Sequence, residues 1–501
     1  MMESEVSWVP VLLPALLLLL CQLSCAARPS PSTIVVPGPA PAAAARDSVA
    51  AAASDAGPPP TTTPATSASS EPPANTSHAH TPAHTPPTVL EDASLSVPKL
   101  VRKYGYPLET HVVMTDDGYV LTLHRMPHGR TDSDSDDINS NRVRSLRKSL
   151  RRAARSRTAF TSTGIKRKRG IGRQGGRAVL LLPGMFCSSA VWIIMGPKKG
   201  LAYLLADAGY DVWIANPRGN RYSMGHVEIP SSDEKYWQFS WHEMGEFDVP
   251  AVLDYVTAIT DQERVPVVGH SMGNTMMMVM GSLRPEYNRL VAVHVALAPT
   301  VYLQHAQSPI LKGLAALAPT VSTLSAMLGV HGLRPTLPLN EALKQLCREE
   351  AVVTQRICKN AAFMLLGFDP EQLNATTLPV VMGHIPSGGS TRTLLHYAQS
   401  FTSGDFRQYD LGVKRNLVRY GQPTPPAYNL SRVDFPVAIA VGENDWLDSM
   451  EDVQRIVKVL PNIVDFYRVP WPKFNHMDHL FAIDVKELEY DHVMEVLERF
   501  S

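Results

Sequence analysis

Six short apolar runs constrain this chain more than any other feature. They occupy residues 178–182, 210–215, 265–269, 290–297, 437–441 and 464–469, and none alternates apolar with polar residues. Such runs suit strands covered on both faces, as in a parallel sheet, where a half-exposed strand would alternate. Helical periods lie between them. Residues 250–260 follow Asp248, a plausible helix start, and residues 484–500 bring Val485, Leu488, Val493, Leu497 and Phe500 near one face. Strand–helix alternation predicts a doubly wound α/β fold, with a mostly parallel central sheet flanked by helices.

The flanks have a different composition. Residues 9–20 form a Leu-rich run followed by the small residues Ser24, Cys25, Ala26 and Ala27. That run is shorter than the roughly 20 residues a spanning helix needs, and its pattern is that of a secretory signal peptide over residues 1–27. Glu3 and Glu5 without a Lys or Arg depart from the usual start of such a peptide. Residues 28–94 are dominated by Pro, Ala, Thr and Ser, too poor in apolar side chains to offset the entropy of ordering. They read as a disordered, O-glycosylated stalk, with Asn75 in an N-glycosylation acceptor. A second biased segment, residues 130–177, runs acidic and then strongly basic through Arg151, Arg152 and Lys166–Arg169. It reads as a solvated insert, and its 142–177 part is a candidate contact for anionic surfaces or a dibasic processing site. Lys+Arg and Asp+Glu both number 47, so net charge points to no nucleic-acid partner.

Gly269-His270-Ser271-Met272-Gly273 joins the third run to a helical stretch. A serine hydroxyl needs exposure beside a general base to act as a nucleophile. A sharp strand-to-helix turn lifts it from the sheet, and the helix N-terminus supplies N–H groups where an oxyanion develops. On such a scaffold an acid and then a histidine follow the serine in loops after late strands. After the fifth run the acid candidates are Asp445, Asp448, Asp452 and Glu443; after the sixth the base is His476 or His479.

From Tyr104 onward, apart from the insert, the chain resembles the acid lipase family, the gastric and lysosomal acid lipases of the α/β-hydrolase fold. The likeness is carried by Tyr104-Gly105-Tyr106-Pro107, Thr115-Asp116-Asp117-Gly118-Tyr119, Asn216-Pro217-Arg218-Gly219-Asn220, Phe239-Ser240-Trp241-His242-Glu243-Met244-Gly245 and Arg284-Pro285-Glu286-Tyr287. Gly442 through Leu447 and Asn475-His476-Met477-Asp478 extend it. The resemblance selects Asp445 and His476 as partners of Ser271, and implies backbone N–H groups of Met185 and Met272 as oxyanion donors. Pro183-Gly184-Met185 stands where the family usually has His-Gly-Leu, and Met272 where it usually has Gln. A backbone donor survives side-chain exchange, although losing one costs about 10²–10³ in turnover.

Residues 300–426 lose the strand–helix rhythm and read as a cap or lid inserted above the nucleophile, within a lipase domain spanning residues 95–501. Cys347 and Cys358 lie in this cap as a disulfide candidate, worth about 3 kcal/mol by loop closure, with Cys187 left as a free thiol. Asn374 and Asn429 are further glycosylation acceptors. The expectation is a secreted or lysosomal lipase acting on neutral lipid esters at a lipid–water interface, through a Ser271–His476–Asp445 relay without metal or cofactor. A short-chain carboxylesterase of the same fold and a catalytically inactive lipid-binding or adhesion protein are the alternatives.

Overall fold

A computed structural model describes residues 87–130, 176–333, 337–348 and 350–500. Residues 1–27, Asn75 and nearly all of the 130–177 insert lie outside the described residues. The described residues from 87 to 94 fall inside the stretch expected to be a disordered stalk, and part of them is helical. Helix α1, Pro87–Asp92, precedes α2, Val97–Lys103. Asp92 anchors it by accepting from Lys103 Nζ and Tyr104 Oη at 2.6 and 2.5 Å. A local tally of apolar residues misses this, because polar contacts supplied from beyond the segment hold the helix.

An antiparallel hairpin, β1 (Glu109–Met114) and β2 (Tyr119–Met126), is followed by β3 (Ala178–Leu182), α3 (Leu201–Asp207), β4 (Asp211–Asn216) and β5 (Gly225–His226). Next come α4 (Val249–Thr260), β6 (Val265–His270), α5 (Met272–Leu283) and β7 (Val291–Leu297). The insertion holds α6 (Pro309–Met327), β8 (Gly332–Leu333), α7 (Leu337–Leu346), α8 (Val352–Leu366), α9 (Leu378–His384), β9 (Gly389–Ser390), α10 (Thr391–Ser403) and α11 (Val413–Tyr420). The chain closes with β10 (Val437–Val441), α12 (Met450–Val459), β11 (Ile463–Arg468), α13 (Asp478–Phe481) and α14 (Asp491–Arg499).

The main sheet has the order β1-β2-β4-β3-β6-β7-β10-β11, with β5 paired to β2. From β4 to β11 all pairings are parallel; those of β2 with β1, β4 and β5 are antiparallel. Every residue of β3, β4, β6, β7 and β10 is buried. Successive side chains enter opposite layers, which explains the absence of alternation in the sequence. Ala178, Leu180 and Leu182 face the layer of α4, α5 and α12, whereas Val179 and Leu181 face that of α2, α3 and α14. Each fully buried Val or Leu contributes about 1.5–3 kcal/mol. The sixth run departs from expectation. As β11 it is an edge strand with Phe466 at 42% exposed, because only β10 pairs with it. Among the described residues no helix is long and apolar enough to cross a membrane.

Cys347 and Cys358 form a disulfide with Cα atoms 5.8 Å apart, tying the end of α7 to α8. Asn374 is half-buried and Asn429 exposed; each starts a short turn by accepting from the backbone N–H two residues on.

Candidate active site

Ser271 lies between β6 and α5 with φ 53° and ψ −118°, a conformation non-glycine residues rarely adopt. Close packing enforces it. A Cβ on Gly273 would lie 2.5 Å from the Leu182 carbonyl oxygen, and one on Gly269 would collide with Asn274 Oδ1. The two glycines therefore let α5 approach β3 and β7 closely enough to hold the strained serine. Asn274 Nδ2 donates to the Leu297 carbonyl at 2.7 Å and pins the start of α5 to the end of β7. Met276, Met277 and Met278 pack as buried core behind this turn.

Two later loops converge on the serine. His476 Nε2 lies 2.9 Å from Ser271 Oγ, and His476 Nδ1 lies 2.7 Å from Asp445 Oδ2. A carboxylate only accepts, so Nδ1 carries the proton and Nε2 faces the serine as a bare acceptor. Burial opposes ionisation of Asp445, but His476 and the Asp448 backbone N–H outweigh it and hold the carboxyl below its ordinary range. Backbone N–H groups of Leu447 and Asp448 reach Asp445 Oδ1 at 2.8 and 2.9 Å.

The remaining sequence candidates are placed elsewhere. His479 is buried against Glu489 at 2.6 Å, Asp452 lies in the first turn of α12, where its N–H donates to the capping Ser449 Oγ, and meets His305 at 3.0 Å, and Glu443 pairs with Arg468 at the surface. Asp448 is buried, and burial followed by the charges of Asp445 and Asp452 pushes it well above the carboxylate range. Met272 occupies the first position of α5, where an N–H has no intrahelical acceptor. The Pro183–Met185 loop lies against the serine turn, since a Cβ on Gly184 would sit 3.3 Å from Ser271 Cβ. Cys187 is a free cysteine whose thiol is pushed up to about 12 by burial, which rules out a standing thiolate.

Sequence reasoning passed over the residues that support the relay. His270 donates from Nε2 to the His476 carbonyl at 3.0 Å. Burial, then the neighbouring His476 and His479, keep its pKa well below the ordinary value, so it is neutral. The end of helix α8, within the insertion, bridges both loops, with the Leu366 carbonyl accepting from Trp446 N at 3.3 Å and His476 N at 3.4 Å. These links join segments far apart in the chain, and no local pattern marks them.

Asp478 carries a testable pH dependence. Burial raises it to about 8 despite the Asn475 N–H that donates to it at 2.8 Å, and Asp369 adds to the rise. Its folded pKa thus exceeds an unfolded value of about 3.9, so its contribution to stability is complete below that pH and fades as pH climbs through about 8. Asp478→Asn, which keeps the acceptor, should therefore raise Tm relative to the parent at about pH 7.5 and leave it little changed at about pH 4, at about 2–4 °C per kcal/mol. Equal Tm differences at the two pH values would refute this.

A strained serine between a central parallel strand and a helix, met by a histidine and an acid from loops after later strands, defines a serine hydrolase of the α/β-hydrolase fold. Residues 97–196 match the family model for a partial α/β-hydrolase lipase region, and residues 177–322 that for the α/β hydrolase fold. Lipase 3 of Drosophila melanogaster is 36% identical over 400 residues, covering 79% of this chain and 91% of that protein. Lipase 1 of the same species is 35% identical over 82% of this chain and 81% of its own length. The gastric triacylglycerol lipase of Bos taurus is 32% identical over 81% of this chain and 92% of its own. The chain belongs to the acid lipase family, and it is a lipase, hydrolysing ester bonds.

Proposed function

We propose that Ser271, His476 and Asp445 form the catalytic triad of a neutral-lipid esterase, acting on triacylglycerol or cholesteryl ester. The reading rests on the continuous relay from Asp445 Oδ2 through both nitrogens of His476 to Ser271 Oγ. His476 takes the Ser271 proton as Oγ attacks the ester carbonyl, while Asp445 holds the imidazolium. Backbone N–H groups of Met185 and Met272 receive the oxyanion. His476 then returns the proton to the departing alcohol, and water hydrolyses the acyl-enzyme by the same relay.

Residues 300–426 act in this reading as a lid. Ser271 is only 8% exposed, while Met327 on α6 and Val353 on α8 turn 79% and 74% of their surface to water. Apolar side chains exposed on the insertion while the nucleophile is covered favour opening where lipid replaces water. The leader-like residues 1–27 and the glycosylation acceptors support a secretory route, to a secreted or lysosomal location. The basic 142–177 segment is a candidate contact for anionic surfaces.

The test is the rate on a triacylglycerol below and above its solubility limit. A lid-gated lipase should gain sharply as emulsion forms; a rate that saturates in monomeric substrate, without a rise, would favour a soluble short-chain carboxylesterase.

A further inference from the structure

We propose that Thr300 is a fourth catalytic residue, its hydroxyl donating to Ser271 Oγ as the serine gives up its proton. This rests on Ser271 acting as the nucleophile with His476 as its base.

The direction of the hydrogen bond follows from counting protons. Thr300 Oγ1 lies 3.3 Å from Ser271 Oγ, and both residues are buried. Ser271 has one proton, and the bare Nε2 of His476 at 2.9 Å receives it. In the contact between the two hydroxyls, Thr300 is therefore the donor. Its proton has two destinations at equal distance, since the Ala298 carbonyl oxygen also lies 3.3 Å from Oγ1. At rest the neutral carbonyl competes for it. When the Ser271 O–H bond breaks and the proton passes to His476, negative charge on Oγ makes it the stronger acceptor, because a charge-assisted bond is roughly twice as strong as a neutral one. Asn274 Nδ2, 3.4 Å from the Ala298 carbonyl, still serves that oxygen after Thr300 turns away. The Thr300 O–H bond stays intact throughout. Oγ bonds to the ester carbon in acylation, and when it leaves in deacylation Thr300 again donates to it.

The surroundings hold this hydroxyl in place. Ala298 has φ 48°, a turn after β7 that brings Thr300 back beside the serine. Thr275 on α5 donates to the Thr300 carbonyl at 2.5 Å. That commits the Thr275 proton, so Tyr397 on cap helix α10 donates to Thr275 Oγ1 at 2.8 Å. A buried chain thus runs from the cap to the nucleophile, and Tyr397 and Thr275 are positioning residues within it.

Thr300→Val replaces the hydroxyl by a methyl of nearly the same shape, and Thr300→Ser keeps the donor. Both are compared with the parent for the second-order rate of inactivation by a fluorophosphonate, and for kcat and KM on a long-chain p-nitrophenyl ester. The valine variant should be inactivated about tenfold or more slowly, with kcat falling in parallel and KM little changed, and serine should restore most of the rate. Should the valine protein fail to fold, Thr300→Ala against Thr300→Ser makes the same comparison. A Val or Ala rate within about twofold of the parent, or a Ser variant as slow as Val, overturns the proposal by assigning Thr300 to packing. Failure of the underlying triad reads differently: the parent itself would resist the fluorophosphonate, or Ser271→Ala would be labelled as fast as the parent.

Discussion

Ser271→Ala is expected to lower hydrolysis of a long-chain ester by about 10⁵–10⁶-fold while leaving Tm within a degree or two. The size follows from the relay acting as one unit, in which the histidine and its carboxylate have nothing to activate once the hydroxyl is gone. The fold should survive, because alanine keeps the backbone N–H that donates to the Leu297 carbonyl at 3.1 Å. Packing of Gly269 and Gly273 against their neighbours, rather than the serine hydroxyl, enforces the positive φ. Initial rates on emulsified triolein with thermal unfolding of the same sample make the measurement. Activity retained above about one part in a thousand would remove Ser271 from the nucleophile role.

A second large effect is expected from Arg218→Ala, on stability instead of chemistry. Arg218 is 1% exposed and donates from Nε to Asp248 Oδ1 at 2.7 Å and to both oxygens of Asp117 at 2.6 and 2.9 Å. Its guanidinium also lies 3.9 Å from the Tyr119 ring centroid. One side chain thereby clamps the β1–β2 turn, the loop after β4 and the start of α4. Removing it leaves Asp248 buried and unpaired, where burial already raises its pKa even with Arg218 present. Breaking such a pair costs about 3–5 kcal/mol. Without the guanidinium, Asp248 must fold protonated, so the loss should be larger near neutral pH than near pH 4. Adding Asp248→Asn should recover part of it. Denaturant midpoints at the two pH values test this, and a loss below about 1 kcal/mol would mean that water had replaced the clamp.

Arg218 also illustrates what a linear reading conceals. Asn216 through Asn220 stand out in the sequence as part of a family likeness, yet nothing local says that the arginine is buried or that Asp117 and Asp248 are its partners. The three segments meet only when β2 pairs with β4 and α4 packs beneath them. Thr300 is a similar case. In sequence it is one of several residues after a strand, and its contact with Ser271 arises from the backbone turn at Ala298. The expected 94/95 boundary fell short for a related reason, since Asp92 is held by Lys103 and Tyr104 from the next helix.

The chain itself determined its strands and its sharp serine turn, because both are local. An unalternating apolar run of five or six residues has few fates other than a strand covered on both faces, and glycine–x–serine–x–glycine between strand and helix answers a steric demand met within five residues. Tertiary structure alone decided which carboxylate and which imidazole meet Ser271, and which other polar groups sit beside it. Asp445, Asp448 and Asp452 share one loop region, as His476 and His479 share another, with similar local surroundings. They separate only in space, where Asp445 finds an imidazole 2.7 Å away, Asp448 is buried among like charges and the His479 ring is turned to Glu489 at 2.6 Å. Charge and proximity act through space, and the spacing of residues along a chain does not record them.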